Sequence, residues 1–159
     1  MNPPPLWSDA MTAHSDLPTA GRFEGKAHVL PLRVYFEDTD FSGLVYHANY
    51  LRWFERARSD MLRVAGIDQK TVYDAGEGVY AVAELTIRYR TPARYDDALT
   101  IVSTVRQVRA ASVLIHQRVM RDAQLLAEAD VIAAFLAPSG RPKRQPAAWI
   151  AAFEHLIGE

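Results

Sequence analysis

Residues 34–67 read VYFEDTDFSGLVYHANYLRWFERARSDMLRVAGI, and they contain the change of pattern on which the fold prediction depends. Before the acidic run, apolar and other residues alternate over 29–37, which predicts a first strand. After it, apolar residues recur at steps of three and four from near His47, which predicts one long amphipathic helix. The apolar face of that helix comprises Tyr50, Leu51, Phe54, Ala57, Met61, Leu62 and Ala65.

Beyond Gly66, a natural helix stop, the pattern soon changes to a period of two. A short helical segment is predicted over 68–75, and a strand follows in which Val79, Ala81, Ala83, Leu85, Ile87 and Tyr89 share one face. Three further strands come in quick succession and end at about Val105, Val119 and Phe135. A last short helix begins near Pro146.

Turns too short for crossover connections join these later strands, which predicts an antiparallel sheet. The fold class is therefore α+β, with the helix inserted after the first strand. A flat sheet cannot cover a helix of about five turns, so we expect the sheet to wrap around the apolar face of the helix. Residues 1–27 show no periodicity and three consecutive prolines, which predicts a flexible N-terminal tail before a single domain at 28–159.

Composition excludes several classes of function. The formal net charge of −1 gives no general attraction to nucleic acid or to an anionic membrane. The chain has no cysteine, which excludes disulfides, thiolate zinc sites and a cysteine nucleophile. Neither a secretory leader nor an apolar run long enough for a membrane span is visible, so a soluble cytoplasmic protein is expected.

The acidic run of Glu37, Asp38 and Asp40 permits three interpretations. The first is structural, because carboxylates near a helix N-terminus are stabilised by its free N–H groups and its dipole. The second is a calcium loop, since Asp38, Asp40, Ser42 and Gly43 match positions 1, 3, 5 and 6 of an EF-hand. That match fails at position 12, where Asn49 replaces the bidentate glutamate, so no metal is expected.

The third interpretation is catalytic. Asp40 and His47 are seven residues apart, at the loop and at the helix entrance, and Gly43 permits close approach of the backbone to a ligand. Free amides at a helix N-terminus stabilise an oxyanion, and an ionised aspartate beside them can attack a carbonyl or deprotonate water. This combination would suit a hydrolase that has no cysteine.

At this point residues 34–67 resemble the signature of the hotdog-fold acyl-CoA thioesterases, of the 4-hydroxybenzoyl-CoA thioesterase type, and within them the tol-pal-associated group. The similarity continues more loosely to about Ile157. The resemblance implies a sheet wrapped around a central helix and homodimers joined sheet edge to sheet edge, often paired into homotetramers. It also implies hydrolysis of a coenzyme A or acyl carrier protein thioester at the subunit interface.

The resemblance assigns roles position by position. Asp40 matches the catalytic carboxylate, as nucleophile or as general base for water. His47 matches the helix-entrance position, whose backbone amide polarises the thioester carbonyl and whose side chain is implicated as well. Phe36 stands where close relatives commonly have tyrosine, so Tyr35 and Tyr46 are the candidates for a supporting hydroxyl.

Three further expectations concern the surroundings of this site. Asn49 caps the helix or holds a site water, and the basic cluster of Arg141, Lys143 and Arg144 either is solvated or meets the phosphates of coenzyme A. No bound cofactor is expected, because coenzyme A is part of the substrate. The alternatives are a hotdog hydratase or dehydratase acting on acyl thioesters, and a non-catalytic acyl-carrier or envelope-complex binding module.

Overall fold

The computed structural model describes residues 16–158, in which one antiparallel sheet packs against helices. The strands are β1 (Arg22–Glu24), β2 (Ala27–Arg33), β3 (Val79–Tyr89), β4 (Ala98–Val108), β5 (Ser112–Arg121) and β6 (Gln124–Leu136). The helices are α1 (Asn49–Val64), α2 (Gln69–Asp74) and α3 (Ala147–Leu156). The strand order is β1-β2-β4-β5-β6-β3. The predicted α+β class, with a long helix inserted between strands, is confirmed.

Helix α1 lies where the apolar period predicts it and packs against β2 and β4. Its buried face consists of Asn49, Tyr50, Trp53, Phe54, Ala57, Arg58, Met61 and Leu62. Burial of each large apolar side chain contributes about 1.5–3 kcal/mol, so this face supplies much of the stability of the fold. Gly66 has a φ of 82°, a left-handed conformation that ends the helix as predicted. Leu51, expected on the apolar face, is exposed.

The predicted C-terminal helix is also confirmed, and it closes the far end of the core. Pro146 is the N-cap of α3, where its missing N–H costs no hydrogen bond. Trp149 and Phe153 are the buried residues of α3, and Trp149 stacks on Tyr80 with ring centroids 5.9 Å apart. No helix in the range 16–158 has the length and apolar character needed to cross a membrane.

The first predicted strand is too long at its C-terminal end. Strand β2 stops at Arg33, and Phe36–Asp38 form a 3-10 turn. The turn forms because the Asp38 carboxylate accepts a hydrogen bond from the Tyr35 backbone N–H, which competes with strand pairing. Phe36, which belongs to the predicted strand at 29–37, is 82% exposed.

The unbroken alternation predicted for β3 is wrong in its first half. A β-bulge between Val82 and Glu84 inserts Ala83 and exchanges the faces of all residues before it. Val79 and Ala81 therefore lie on the outer face instead of the inner one. The inner face of β3 consists of Tyr80, Val82, Leu85, Ile87 and Tyr89, opposite buried residues of β6.

The predicted tail boundary at residue 27 is too late. Arg22–Glu24 pair with 27–29 as a short hairpin, and Gly25 at its turn has a φ of 61°. The alternation over three residues is too short to be recognised from sequence. Residues 1–15, the rest of the predicted tail, lie outside the described residues.

One buried polar contact ties the sheet to the helix. His28 of β2 is fully buried, and its Nε2 lies 2.6 Å from a carboxylate oxygen of Asp60 on α1. The same oxygen accepts a hydrogen bond from the Gly21 N–H. The Nδ1 atom of His28 is buried without a partner, so a second proton on the ring would meet no acceptor. Burial accordingly lowers the pKa of His28, although Asp60 opposes this effect.

We predict that this contact makes the fold acid-sensitive. The unfolded His28 gains a proton near pH 6.5, whereas the folded one resists protonation, so stability falls as the pH drops below about 6.5. One such group can contribute at most about 1.4 kcal/mol per pH unit. Urea unfolding at pH 7.5 and 5.5 measures the effect. The free energy of unfolding should fall less between these two pH values in His28→Gln than in the wild-type protein. An equal fall in both proteins would contradict this assignment.

Candidate active site

The acidic loop is fixed to the start of α1 by Asp38. One carboxylate oxygen of Asp38 accepts a hydrogen bond from the Tyr35 N–H at 2.7 Å, and the other accepts one from Asn49 Nδ2 at 2.7 Å. The Asp38 carbonyl also accepts a bond from the Tyr46 N–H at 2.9 Å. Asn49 is buried at the first position of the helix. Asp38 and Asn49 therefore hold the loop in place, and the side chain of Asn49 serves this contact.

Asp40 lies at the tip of this loop. Its carboxylate accepts hydrogen bonds from the hydroxyl and the backbone N–H of Ser42, the latter at 2.8 Å. These two bonds lower the pKa of Asp40, and the charge of His47 has a smaller effect in the same direction. Gly43 has a φ of 80°, which allows its N–H to bond the Asp40 carbonyl. Asp40 is thus held as an exposed, ionised carboxylate.

His47 lies at the entrance to α1, where backbone donors are free. The N-cap residue is Ala48, and no side chain caps the helix. Within the described part of the chain, the His47 N–H has no hydrogen-bond partner. Its carbonyl accepts a bond from the Tyr89 hydroxyl at 2.7 Å, and its ring packs on that of Tyr46 at 4.6 Å. An uncapped helix start leaves N–H groups available to an anionic ligand.

The structure gathers most of the predicted site residues but not all. Asp40, His47, Tyr46 and Asn49 lie together around the loop and the helix start. Tyr35 contributes its backbone N–H to Asp38, while its side chain is 61% exposed.

The basic cluster of Arg141, Lys143 and Arg144 lies at the other end of the sheet. Pro142, within this cluster, forms a β-bridge with Leu136 at the end of β6. Lys143 Nζ donates a hydrogen bond to the carbonyl of Glu77, just before β3 begins. The acidic loop instead pairs near the far end of β3, where Leu44 bridges to Arg94. Eleven residues of β3 separate the two ends, or about 35 Å. Within one chain the cluster and Asp40 do not form one site.

The calcium interpretation finds no support in the geometry. Both oxygens of Asp38 are engaged by Tyr35 and Asn49, and Asp40 is bonded to Ser42. No group of three or more metal-ligating residues occurs between residues 16 and 158.

Two contributors to this site were not predicted as such. Ser42 orients Asp40, and an Asp followed two residues later by Ser is a sequence signal for such a side-chain turn. Tyr89 supports His47 from 42 residues away, a contact that no local pattern indicates.

Two depressions lie between α1 and β3, and one of them adjoins this site. Because α1 packs over β2 and β4, the inner face of β3 is incompletely covered, and Val82 and Tyr89 are each 47% exposed. An open groove of about 290 Å³ near His47 is lined in part by Leu44, Val45, His47, Tyr50, Tyr89 and Arg90. A separate, more enclosed cavity lies beside Arg58, Tyr80 and Val82 and shares no lining residue with the groove.

An antiparallel sheet against one long helix is the architecture of the hotdog-type thioesterase fold. Residues 34–153 match the sequence model of the thioesterase-like superfamily, and the chain belongs to this superfamily. The chain is 40% identical over 127 residues to the acyl-CoA thioesterase YbgC of Haemophilus influenzae. The aligned region covers 79% of this chain and 93% of that protein. It is 37% identical over 126 residues to the acyl-CoA thioester hydrolase YbgC of Escherichia coli O157:H7, covering 78% of this chain and 93% of that protein.

A solved structure agrees with this assignment. The crystal structure of a probable thioesterase from Bartonella henselae superposes with a TM-score of 0.72 at 34% identity. The superposition covers 76% of this chain and 99% of the other. The resemblance to hotdog thioesterases, drawn above from residues 34–67, is confirmed.

The bond between Asp38 and Asn49 yields a prediction. Asn49→Ala removes a hydrogen bond to a charged group, which should lower the free energy of unfolding by about 1.5–3 kcal/mol. It should also reduce turnover, because the loop that carries Asp40 is then less fixed. Chemical denaturation and a thioester assay measure the two effects. The control is Arg56→Ala, on the exposed surface of the same helix, which should change neither the free energy of unfolding nor turnover. An Asn49→Ala protein with wild-type stability and turnover would contradict the role assigned to this bond.

Proposed function

We propose that this chain hydrolyses acyl-CoA thioesters, with Asp40 as the reacting carboxylate and the backbone N–H of His47 as the donor to the carbonyl oxygen. The observation that carries the proposal is that an ionised Asp40 lies near the start of α1, where the His47 N–H has no hydrogen-bond partner among residues 16–158. The similarity to acyl-CoA thioesterases at 40% identity supports the reaction class.

The chemistry follows from where charge develops. Attack on the thioester carbon makes the carbonyl oxygen negative, and an N–H aimed at that oxygen stabilises the change without reorganisation. In one route the Asp40 carboxylate attacks, the carbon–sulfur bond breaks, coenzyme A leaves as a thiol after gaining a proton, and water hydrolyses the resulting anhydride. In the other route Asp40 takes a proton from water, which attacks directly. Both routes give a free acid and coenzyme A, and neither requires a cofactor.

Tyr46 is the better candidate for a supporting hydroxyl. Its ring contacts that of His47, whereas Phe36 offers no hydroxyl and the side chain of Tyr35 is 61% exposed and makes no ring contact with His47. The His47 ring packs on Tyr46 and lies close enough to lower the pKa of Asp40. In this position it would orient the acyl group or assist proton transfer.

We further propose that a second copy of the chain completes the site. Asp40 is exposed, so one chain does not provide the water-poor surroundings that strengthen the hydrogen bond to an oxyanion. Strand β3 has 11 residues and lies at the sheet edge, where unpaired backbone groups and the exposed Val79 and Val82 favour pairing with another strand. Two copies joined through β3 would form a homodimer, and two dimers the homotetramer that the resemblance implies.

This pairing would give the basic cluster a role. In an antiparallel pair centred on the middle of β3, residue 79 of one copy lies opposite residue 89 of the other. The cluster of Arg141, Lys143 and Arg144, next to the beginning of β3, would then adjoin the second copy's His47 groove. Guanidinium and ammonium groups there would bind the phosphates of coenzyme A or of the carrier-protein phosphopantetheine. Because coenzyme A thioesters are cytoplasmic metabolites, we propose a cytoplasmic location.

The first test concerns Asp40. In Asp40→Asn the rate of thiol release from acyl-CoA should fall by about 10²- to 10⁴-fold, since the carboxylate that attacks or activates water is lost. Free thiol is followed across short, long and aromatic acyl-CoAs, and circular dichroism verifies the fold. Glu37→Gln, which neutralises an exposed carboxylate in the same acidic run, serves as the matched control and should retain full activity.

Each outcome of this test discriminates. Near-normal thiol release by Asp40→Asn would exclude the assignment of Asp40. Loss of enoyl absorbance with an intact thioester would favour the hydratase alternative. Saturable binding without thiol release from any substrate would favour the non-catalytic binding module.

The second test concerns the basic cluster. Arg141→Glu should raise the KM for acyl-CoA by about tenfold or more, because a charge-assisted contact to phosphate is lost. The kinetics with the matching N-acetylcysteamine thioester, which lacks phosphates, should not change. Hybrid dimers of Asp40→Asn and Arg141→Glu chains should regain low-KM turnover, since one of their two sites combines an intact Asp40 with an intact Arg141. Hybrids that retain the high KM would contradict a site shared between two copies.

A further inference from the structure

The carboxylate of Asp40 is held by one of its two oxygens. The hydroxyl and the backbone N–H of Ser42 both donate to Oδ1. Within residues 16–158 no donor is found for Oδ2, and Asp40 is exposed. One oxygen is therefore fixed, and the other is open to a ligand.

The hydroxyl of Ser42 is itself oriented by the loop. Its Oγ accepts a hydrogen bond from the Leu44 N–H at 3.3 Å, which directs the hydroxyl proton toward Asp40. The same turn is closed by bonds from the Asp40 N–H to the Leu44 carbonyl and from the Gly43 N–H to the Asp40 carbonyl, each at 3.0 Å. The Leu44 N–H, the Ser42 hydroxyl and Asp40 Oδ1 thus form a chain of hydrogen bonds in which each bond strengthens the next.

The fold does not depend on Ser42. Its side chain is exposed and lies outside both clusters of buried apolar residues. The loop is attached to α1 by Asp38 and Asn49 instead. Aspartate and serine two residues apart form such side-chain turns in many loops. Here the side chain that is held is the proposed reacting carboxylate, so the contact has a consequence for the reaction.

We propose that Ser42 is a positioning residue of the reaction, which holds Oδ1 of Asp40 and leaves Oδ2 as the oxygen that attacks the thioester carbon or takes a proton from water. The inference rests on the proposed thioesterase function. It holds for either of the two routes described above, because each needs one oxygen of Asp40 aimed at one atom of the substrate or of water. A carboxylate fixed before the substrate arrives does not have to lose its rotation in the transition state.

The same contact affects the ionisation of Asp40. Both hydrogen bonds from Ser42 lower the pKa of Asp40, and their effect is larger than that of the charge of His47. The other charged groups on the segments around the loop are Glu37, Asp38, Arg90, Arg94, Asp96 and Asp97. In the described part of the chain none of them is bonded to Asp40. Loss of the Ser42 hydroxyl should therefore raise the pKa of Asp40.

Kinetics test the positioning role. In Ser42→Ala, kcat for thiol release from acyl-CoA should fall about tenfold with KM unchanged, because a hydrogen bond to the charged carboxylate is lost and the proposed contacts to the ligand remain. The assay is run at pH 8, far above the ordinary pKa of a carboxyl, so that incomplete ionisation does not contribute. Ser42→Thr keeps the hydroxyl and should retain most of the rate. Thr39→Ala, the matched control, removes a hydroxyl of the same loop that bonds the Phe36 carbonyl, and should leave kcat unchanged.

An NMR titration of carbon-labelled aspartate carboxyls measures the same contact without any turnover. The signal of Asp40 is identified by its absence from the spectrum of Asp40→Asn. The midpoint of its titration should lie at higher pH in Ser42→Ala than in the wild-type protein, and it should not move in Thr39→Ala. Ser42 is exposed, so its variants are expected to fold, and circular dichroism verifies this.

The outcomes separate this inference from the proposed function. An unchanged kcat in Ser42→Ala, an unchanged titration of Asp40, or an equal loss of kcat in Ser42→Ala and Ser42→Thr would overturn the inference while leaving thioester hydrolysis intact. Failure of the wild-type protein to release thiol from any acyl-CoA, together with a raised pKa of Asp40 in Ser42→Ala, would overturn the hydrolase and retain the hold of Ser42 on the carboxylate.

Discussion

The double hydrogen bond of Asp38 is the contact on which the arrangement of the site depends. By bonding the Tyr35 N–H with one oxygen and Asn49 with the other, Asp38 joins the end of β2 to the first residue of α1. The chain between them must then form a compact loop, with Asp40 at its tip and His47 at its end. Because Asp38 makes the contacts that hold the loop, Asp40 does not have to make them and is available to a ligand. Two carboxylates separated by one residue thus have different contacts, and the role proposed for Asp40 depends on this difference.

Incomplete coverage of the sheet is the second constraint. Helix α1 packs over β2 and β4, and α3 covers the opposite end of the core, which leaves the inner face of β3 only partly covered and its outer edge unpaired within the described chain. Exposed apolar side chains on a long edge strand favour association. The same feature leaves the groove beside His47 open. The proposed pairing with a second copy and the proposed binding of a thioester near His47 therefore depend on one property of the fold.

Local pattern was sufficient for much of this fold. The spacing of apolar residues after His47 predicts α1, Gly66 predicts its end, and alternation with short turns predicts the antiparallel strands. The acidic run and His47 also stand out without coordinates. Features that depend on a choice between competing hydrogen bonds were not predictable: the 3-10 turn at Phe36–Asp38 replaces the end of a strand, and the bulge at Ala83 reverses the face of Tyr80. Contacts between residues far apart in sequence, such as Tyr89 with His47 and Gln117 with Arg58, are not indicated by any periodicity of the sequence.

The central claim is that a thioester carbonyl binds at the start of α1, between the His47 N–H and Asp40. A crystal structure of Asp40→Asn with a bound acyl-CoA tests it most directly. The account predicts a carbonyl oxygen within about 2.7–3.1 Å of the His47 backbone nitrogen. It also predicts that the side chain at position 40 faces the carbonyl carbon and that a second copy covers the site. A thioester bound elsewhere, or a side chain at position 40 that points into solvent in the assembled protein, would contradict the account.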